Sequence, residues 1–193
     1  ARLRAREVAT LMIVVSDNIA TNMLIDYLGL DTINAFIRSI GCTHTKLHRS
    51  LRSDNWSKKL GTITPRDMGR FFALLAKGEL VSPQASDAMR NVFRQQHYNT
   101  MLAGSIPPYY TDPEESHADP DLIYVASKSG SMDACRNDGG LIHTPYGDYV
   151  LVMMCTDFAN KLEVNDHPSV IYGNRVSRML FDQYLALEGS FVK

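Results

Sequence analysis

The sequence predicts an α+β fold, a helical lobe joined to a small antiparallel sheet that is flanked by a helix. Three observations carry that expectation. Apolar residues recur at helical spacing through the first hundred or so positions; short β-type runs then follow one another closely; the last stretch returns to helical spacing. Helices followed by antiparallel strands belong to the α+β class. A chain of 193 residues suffices for one domain with a sizeable core. The expected organisation is a single domain over 1–193, with 1–120 the mainly helical lobe and 121–193 supplying three strands and a C-terminal helix.

The helices are read in order. Val8, Leu11, Met12 and Val15 recur on one stripe of a first helix. Ser16-Asp17-Asn18 interrupts it with cap- and turn-favouring residues, and Asp17 or Asn18 would cap a second helix that carries Met23, Leu24 and Leu28 and stops at Gly29. Asp31 opens a third, with Ile33, Phe36, Ile37 and Ile40 inward and Gly41 as its stop. Residues 42–63 show no period and read as a long loop. Thr64-Pro65 and Ser82-Pro83 each pair an N-cap with proline at the first helical position; the first of these helices buries Met68, Phe71, Phe72 and Leu75, and the second runs to about Gln96.

A proline-rich loop over 104–120 leads to the strands, near 122–126, 139–143 and 149–156. The last two flank Pro145-Tyr146-Gly147-Asp148 and should pair as a hairpin. A helix over 168–187 follows, with Val176, Met179, Leu180 and Tyr184 on one face. A three-stranded sheet leaves an outer edge that invites another strand. The chain also opens on Ala1-Arg2-Leu3-Arg4-Ala5-Arg6, which reads as the middle of a helix, with neither an initiator Met nor a signal-peptide core. Both features lead us to expect a fold incomplete at its N-terminus.

Composition narrows the function. The formal net charge of -1 supplies no field to draw the chain onto nucleic acid or an acidic membrane. No apolar run is long enough to span a bilayer. Cys42, Cys135 and Cys155 are too few for a disulfide framework and read as small hydrophobes. His44 and His48 are four apart but have no third ligand in sight, so they read as surface histidines, and neither metal nor other cofactor is expected. Lys58-Lys59 reads as part of a solvated loop.

Two triplets carry chemistry: Ser16-Asp17-Asn18 between two helices, and Lys128-Ser129-Gly130 just after a strand. In that order they resemble the Ser-Asp-Asn and Lys-Thr-Gly motifs of class A β-lactamases and penicillin-binding proteins, with Ser129 in place of the usual threonine. The helix entering the first triplet, Ala20-Thr21-Asn22, Thr62 to Met68, Gly78-Glu79-Leu80 and the hairpin after Lys128 are similar to that family as well, so the resemblance runs from about residue 3 to 185. It implies acyl transfer on a β-lactam or a related amide or peptide-like substrate. Ser16 would pass a proton to the leaving amine. Lys128 would hold positive charge beside Ser16 and attract a substrate carboxylate. Asn18 would bond the substrate amide and Ser129 its carboxylate. Gly130 completes the motif, and Ser131 would turn its N–H to an oxyanion hole. Asp17 would be structural. The four residues Ser16, Asn18, Lys128 and Ser129 would meet in one cleft. Family resemblance also implies a secreted, periplasmic or cell-envelope protein.

Two family features do not carry over. Ser-x-x-Lys occurs only as Ser190-Phe191-Val192-Lys193, where no helix can continue past the lysine, so the nucleophile segment is expected to be absent from this chain. The deacylating glutamate, two residues after an arginine, would fall at Leu51 after Arg49; Asp54 is the nearest substitute. The alternative function is a non-catalytic module that binds a peptidoglycan-like peptide or a partner. Self-association or a retained N-terminal fragment would cover the open apolar surface.

Overall fold

The computed structural model describes residues 2–52, 59–111, 119, 121–132, 134–159 and 165–189. Asp54, Lys58 and the Ser190–Lys193 match fall outside them. Residues Ala1–His97 and Tyr98–Lys193 form two compact units.

The first unit runs α1 (Ala5–Val14), α2 (Asn18–Leu28), α3 (Leu30–Ser39), β1 (Lys46–Leu47), β2 (Gly61–Thr62), α4 (Pro65–Ala76) and α5 (Pro83–Phe93). Three of its helix starts follow side-chain cap chemistry, whereas α3 starts at Leu30 after Gly29 with no side-chain cap, one residue before the expected opener Asp31. Asp17 caps α2, Oδ1 accepting the Ala20 N–H at 2.6 Å. Thr64 and Ser82 cap α4 and α5, each ahead of a proline. Each such cap is worth about 1 kcal/mol. Helix α5 stops at Phe93, short of Gln96, whose Nε2 turns back to donate to Ile13 O at 3.0 Å.

The buried stripes are narrower than hydrophobic spacing suggests. Only Val8 is buried on α1, while Leu11 and Val15 are exposed; on α2 Ala20 and Ile25 are buried, while Met23 and Leu28 are exposed. On α3, Phe36 is exposed and the buried residue is Asn34. The Asn34 carboxamide closes two bonds with the Leu47 backbone, donating to its carbonyl and accepting its N–H, both at 2.8 Å. One side-chain amide thus satisfies one peptide unit, and no apolar period reveals it.

The 42–63 stretch is accordingly not free-standing. Strands β1 and β2 pair antiparallel, Lys46 with Thr62 and Leu47 with Gly61. Asp67, buried near the start of α4, accepts from the His44 N–H and the Thr45 hydroxyl, both at 2.8 Å.

The second unit holds α6 (Pro108–Thr111), strands β3 (Tyr124–Met132), β4 (Cys135–Thr144) and β5 (Gly147–Thr156), and α7 (Pro168–Ala186). The strands form one antiparallel sheet in the order β3-β4-β5. Each is longer than its apolar run, because the ladder continues through polar residues as far as the Met132–Cys135 pair. Lys128-Ser129-Gly130 therefore lies within β3 and not beyond its end.

Met101, Leu102, Ile106, Ile123, Ile142 and Phe181 form this unit's core. Helix α7 buries Val170, Gly173, Ser177, Phe181 and Tyr184; of the expected face only Tyr184 is buried, and Met179 is 63% exposed. Small residues set the rotation. A Cβ on Gly173 would lie 2.7 Å from Met101 Cβ, and the Ser177 hydroxyl donates to Leu102 O at 2.7 Å. No described helix is long and apolar enough to cross a membrane.

Candidate active site

Ser16 occupies the break between α1 and α2 at φ 54°. That left-handed region is sparsely used by residues with a Cβ, and such conformations concentrate at functional sites. The next residue anchors it. The Asp17 N–H donates to Leu11 O at 3.2 Å while the Asp17 carboxylate caps α2, so the chain direction on leaving Ser16 is fixed. Ser16 is half-buried, and Asn18, the first residue of α2, is exposed with its carboxamide available to a ligand. The same triplet recurs at Ser53-Asp54-Asn55, outside the described residues.

Asn22 lies one turn along α2. Its Nδ2 donates to Leu51 O at 2.9 Å, and its Oδ1 accepts the Leu51 N–H at 2.7 Å. The backbone of residue 51 is thereby held on the helix that begins at the Ser-Asp-Asn turn. Sequence reasoning singled out Leu51 and noted Asn22 only within a family-like stretch, with no role given to it. The available signal was an asparagine inside a helix, where it is a poor helix former and needs another reason to be present.

In the second unit, Lys128 is half-buried and Nζ donates to Ser129 O at 2.6 Å. Burial pushes the lysine below its ordinary pKa, and the Asp138 carboxylate pulls the other way. The register pairs Lys128 with Gly139, Ser129 with Asp138, Gly130 with Asn137 and Ser131 with Arg136. Paired residues share a face of an antiparallel ladder and successive residues alternate. Ser129, Ser131, Arg136 and Asp138 therefore lie on one face, and Lys128 and Gly130 on the other. Among the described residues strand β3 is an edge of the sheet, so alternate N–H and C=O groups along it point away from β4.

Arg136 also escaped the sequence reading, because the polar run Cys135–Asp138 looked like a connection between strands. It is buried, donates to Met132 O and to Cys135 O, and sets its guanidinium 5.3 Å from the centre of the Phe158 ring. An arginine stays charged even there, so the face of Ser129 and Ser131 is electropositive at Arg136. His44 and His48 are exposed, each bonded to a threonine hydroxyl at 3.1 Å. Among the described residues no group of three metal-binding side chains occurs.

A model of the β-lactamase enzyme family matches residues 1–184. The chain belongs to that family. Among solved members of the β-lactamase fold, a β-lactamase from Sphaerobacter thermophilus DSM 20745 is 27% identical with a TM-score of 0.78, over 96% of this chain and 64% of that one. PBP-A is 28% identical with a TM-score of 0.76, over 97% of this chain and 63% of that one. A leucine-to-glutamate variant of PBP-A, solved as an acyl-enzyme complex with penicillin G, is 28% identical with a TM-score of 0.78, over 97% and 64%. The chain thus spans just under two thirds of the length of these β-lactamase-family structures. No curated protein matches it. The architecture of helices and antiparallel sheet is that of the β-lactamase fold, present here in part.

Proposed function

We propose that these 193 residues are the substrate-binding and proton-handling part of a serine hydrolase that acts on a β-lactam or a related peptide-like amide. The attacking serine would come from polypeptide outside this sequence. The observation that carries the reading is the run Lys128-Ser129-Gly130-Ser131 on an exposed sheet edge, beside the buried positive charge of Arg136. Acyl transfer needs a nucleophile, a proton path and donors for developing negative charge. Here Ser16 would pass the proton to the leaving amine, and Lys128 would hold positive charge for the substrate. Ser129 and Arg136 would take the substrate carboxylate, Gly130 would keep the strand open to it, Asn18 would take the amide, and the Ser131 N–H would serve the oxyanion. Exposure of the protein to cell-wall peptides, in the periplasm or cell envelope, fits that substrate class.

Leu51 favours a slow or non-turning-over variant, because leucine cannot activate water. The limiting case is a pseudoenzyme that binds a peptidoglycan-like peptide. Intact-protein mass spectrometry after incubation with penicillin G tests both readings. The 193-residue chain should form no covalent adduct, since an alcohol without an adjacent base is a poor nucleophile. The full gene product should acylate and hold the adduct, and Leu51→Glu in that product should shorten its lifetime. A stable adduct on the 193-residue chain would refute the assignment of the nucleophile elsewhere, and no adduct on the full product would favour the pseudoenzyme.

A further inference from the structure

Asp138 is 1% exposed, on the face of the sheet that carries Ser129. Its Oδ2 accepts from the Thr100 hydroxyl at 3.1 Å and from the Leu102 N–H at 3.0 Å. Its Oδ1 is buried and has no hydrogen-bond partner. A buried acceptor left unmade costs roughly 1–3 kcal/mol, more when charged, so a donor or acceptor within reach of Asp138 gains by pairing with it. Directly across the ladder, the Ser129 hydroxyl makes no hydrogen bond among the described residues. Opposed Cβ atoms in such a pair are about 5 Å apart, a span that a hydroxyl on one and a carboxyl on the other can bridge by a hydrogen bond.

We propose that Asp138 is a positioning residue for Ser129: as a neutral carboxylic acid it donates from Oδ1 to Ser129 Oγ, which leaves the serine proton to donate to a substrate carboxylate. This rests on the proposed function for the identity of the ligand and not for the pair itself. The protonation state decides the direction of the relay. An ionised Asp138 would accept a hydrogen bond from the serine O–H, turn the serine lone pairs toward an anion and add its own repulsion. A neutral Asp138 reverses all three effects.

The surroundings favour the neutral form. Burial pushes the carboxyl above its ordinary range and outweighs the Leu102, Thr100 and Gly139 donors and the charge of Lys128, which favour ionisation. The neighbouring Gly139 N–H exerts its pull without giving Oδ1 a hydrogen bond. The groups around the carboxyl are Lys128 and Ser129 on β3, Arg136 on its own strand, Met153 opposite it on β5, and Thr100 and Leu102 from the 98–106 segment. Of these Lys128 and Arg136 are the cations. An anion bound near Arg136 offsets their pull, so ligand binding and protonation of Asp138 reinforce each other.

Two measurements on the 193-residue chain test this. The first follows the Asp138 carboxyl carbon by NMR against pH without ligand, in the parent chain and in Ser129→Ala. The Asp138 midpoint should lie above the ordinary carboxyl range, and Ser129→Ala should lower it by removing the acceptor of the neutral form. An ordinary midpoint, or one indifferent to Ser129→Ala, overturns the proposal. The second is calorimetric titration with penicillin G. Affinity should fall about tenfold, the worth of one hydrogen bond to a charged group, as pH rises through the Asp138 midpoint. In Asp138→Asn, neutral at every pH and still a donor, the affinity should stay flat; a slope that persists there overturns the proposal. If penicillin G fails to bind at any pH while the NMR result holds, the β-lactam reading falls and the Asp138–Ser129 pair stands.

Discussion

Replacing Asn22 by alanine removes both bonds that hold residue 51 to α2, at 2.9 and 2.7 Å. Each is a part-buried bond between neutral groups, worth roughly 1 kcal/mol net. Their joint loss should cost about 2 kcal/mol of local stability. Because the clamp joins a helix face to a loop, the cost should appear first as local opening and not as global unfolding. Native-state hydrogen exchange at the Leu51 amide reads it directly, and 2 kcal/mol corresponds to about a 30-fold loss of protection. Asn34→Ala supplies the control. It removes the equivalent clamp on Leu47 and should deprotect the Leu47 amide while leaving that of Leu51 within about twofold. An Asn22→Ala chain whose Leu51 amide exchanges at the parent rate would show that the clamp does not hold the loop, and the placement of residue 51 would need another cause.

Further outcomes follow from packing and charge. Gly140→Ala puts a methyl 2.5 Å from Ala126 O and 2.6 Å from Ser127 Cβ; neither the ladder nor a buried strand can yield cheaply, so thermal denaturation should show a loss of about 3 kcal/mol, or roughly 6–12 °C in Tm. Lys128→Met should leave Tm at pH 7 unchanged or higher, because burial already disfavours the charged lysine; a clear fall would mean that its attraction to Asp138 dominates. Asp138 has a folded pKa raised above its unfolded value, so its contribution is full below about pH 4, the ordinary aspartate value, and is lost as pH rises through the folded midpoint. Urea denaturation from pH 4 to 8 should therefore show a decline in the parent chain that Asp138→Asn lacks; parallel profiles would contradict the raised pKa.

Where local chemistry writes the structure, the sequence was readable. Asp17, Thr64 and Ser82 cap the helices they announce, and the Pro145–Asp148 turn joins two paired strands. What escaped was polar structure made over distance. Asn22, Asn34 and Asp67 bind backbone or hydroxyl groups 22 or more positions away, or 13 in the case of Asn34, and no apolar period encodes such a partner. The strands outran their hydrophobic cores because a ladder needs backbone and not oil, and that hid Arg136 and Asp138 in an apparent connection. The face of α7 was misjudged because glycine and serine, not large side chains, make its closest approach. Of the candidate site residues, the two triplets stood out by residue type, whereas Asn22, Arg136 and Asp138 did not.

The Asn22 clamp touches only the main chain of residue 51. Its grip is indifferent to the side chain carried there, so the position behaves as a socket whose insert can change without refolding its surroundings. Under the proposed function, one substitution at residue 51 would add a water-activating carboxylate and leave both bonds that hold its backbone in place.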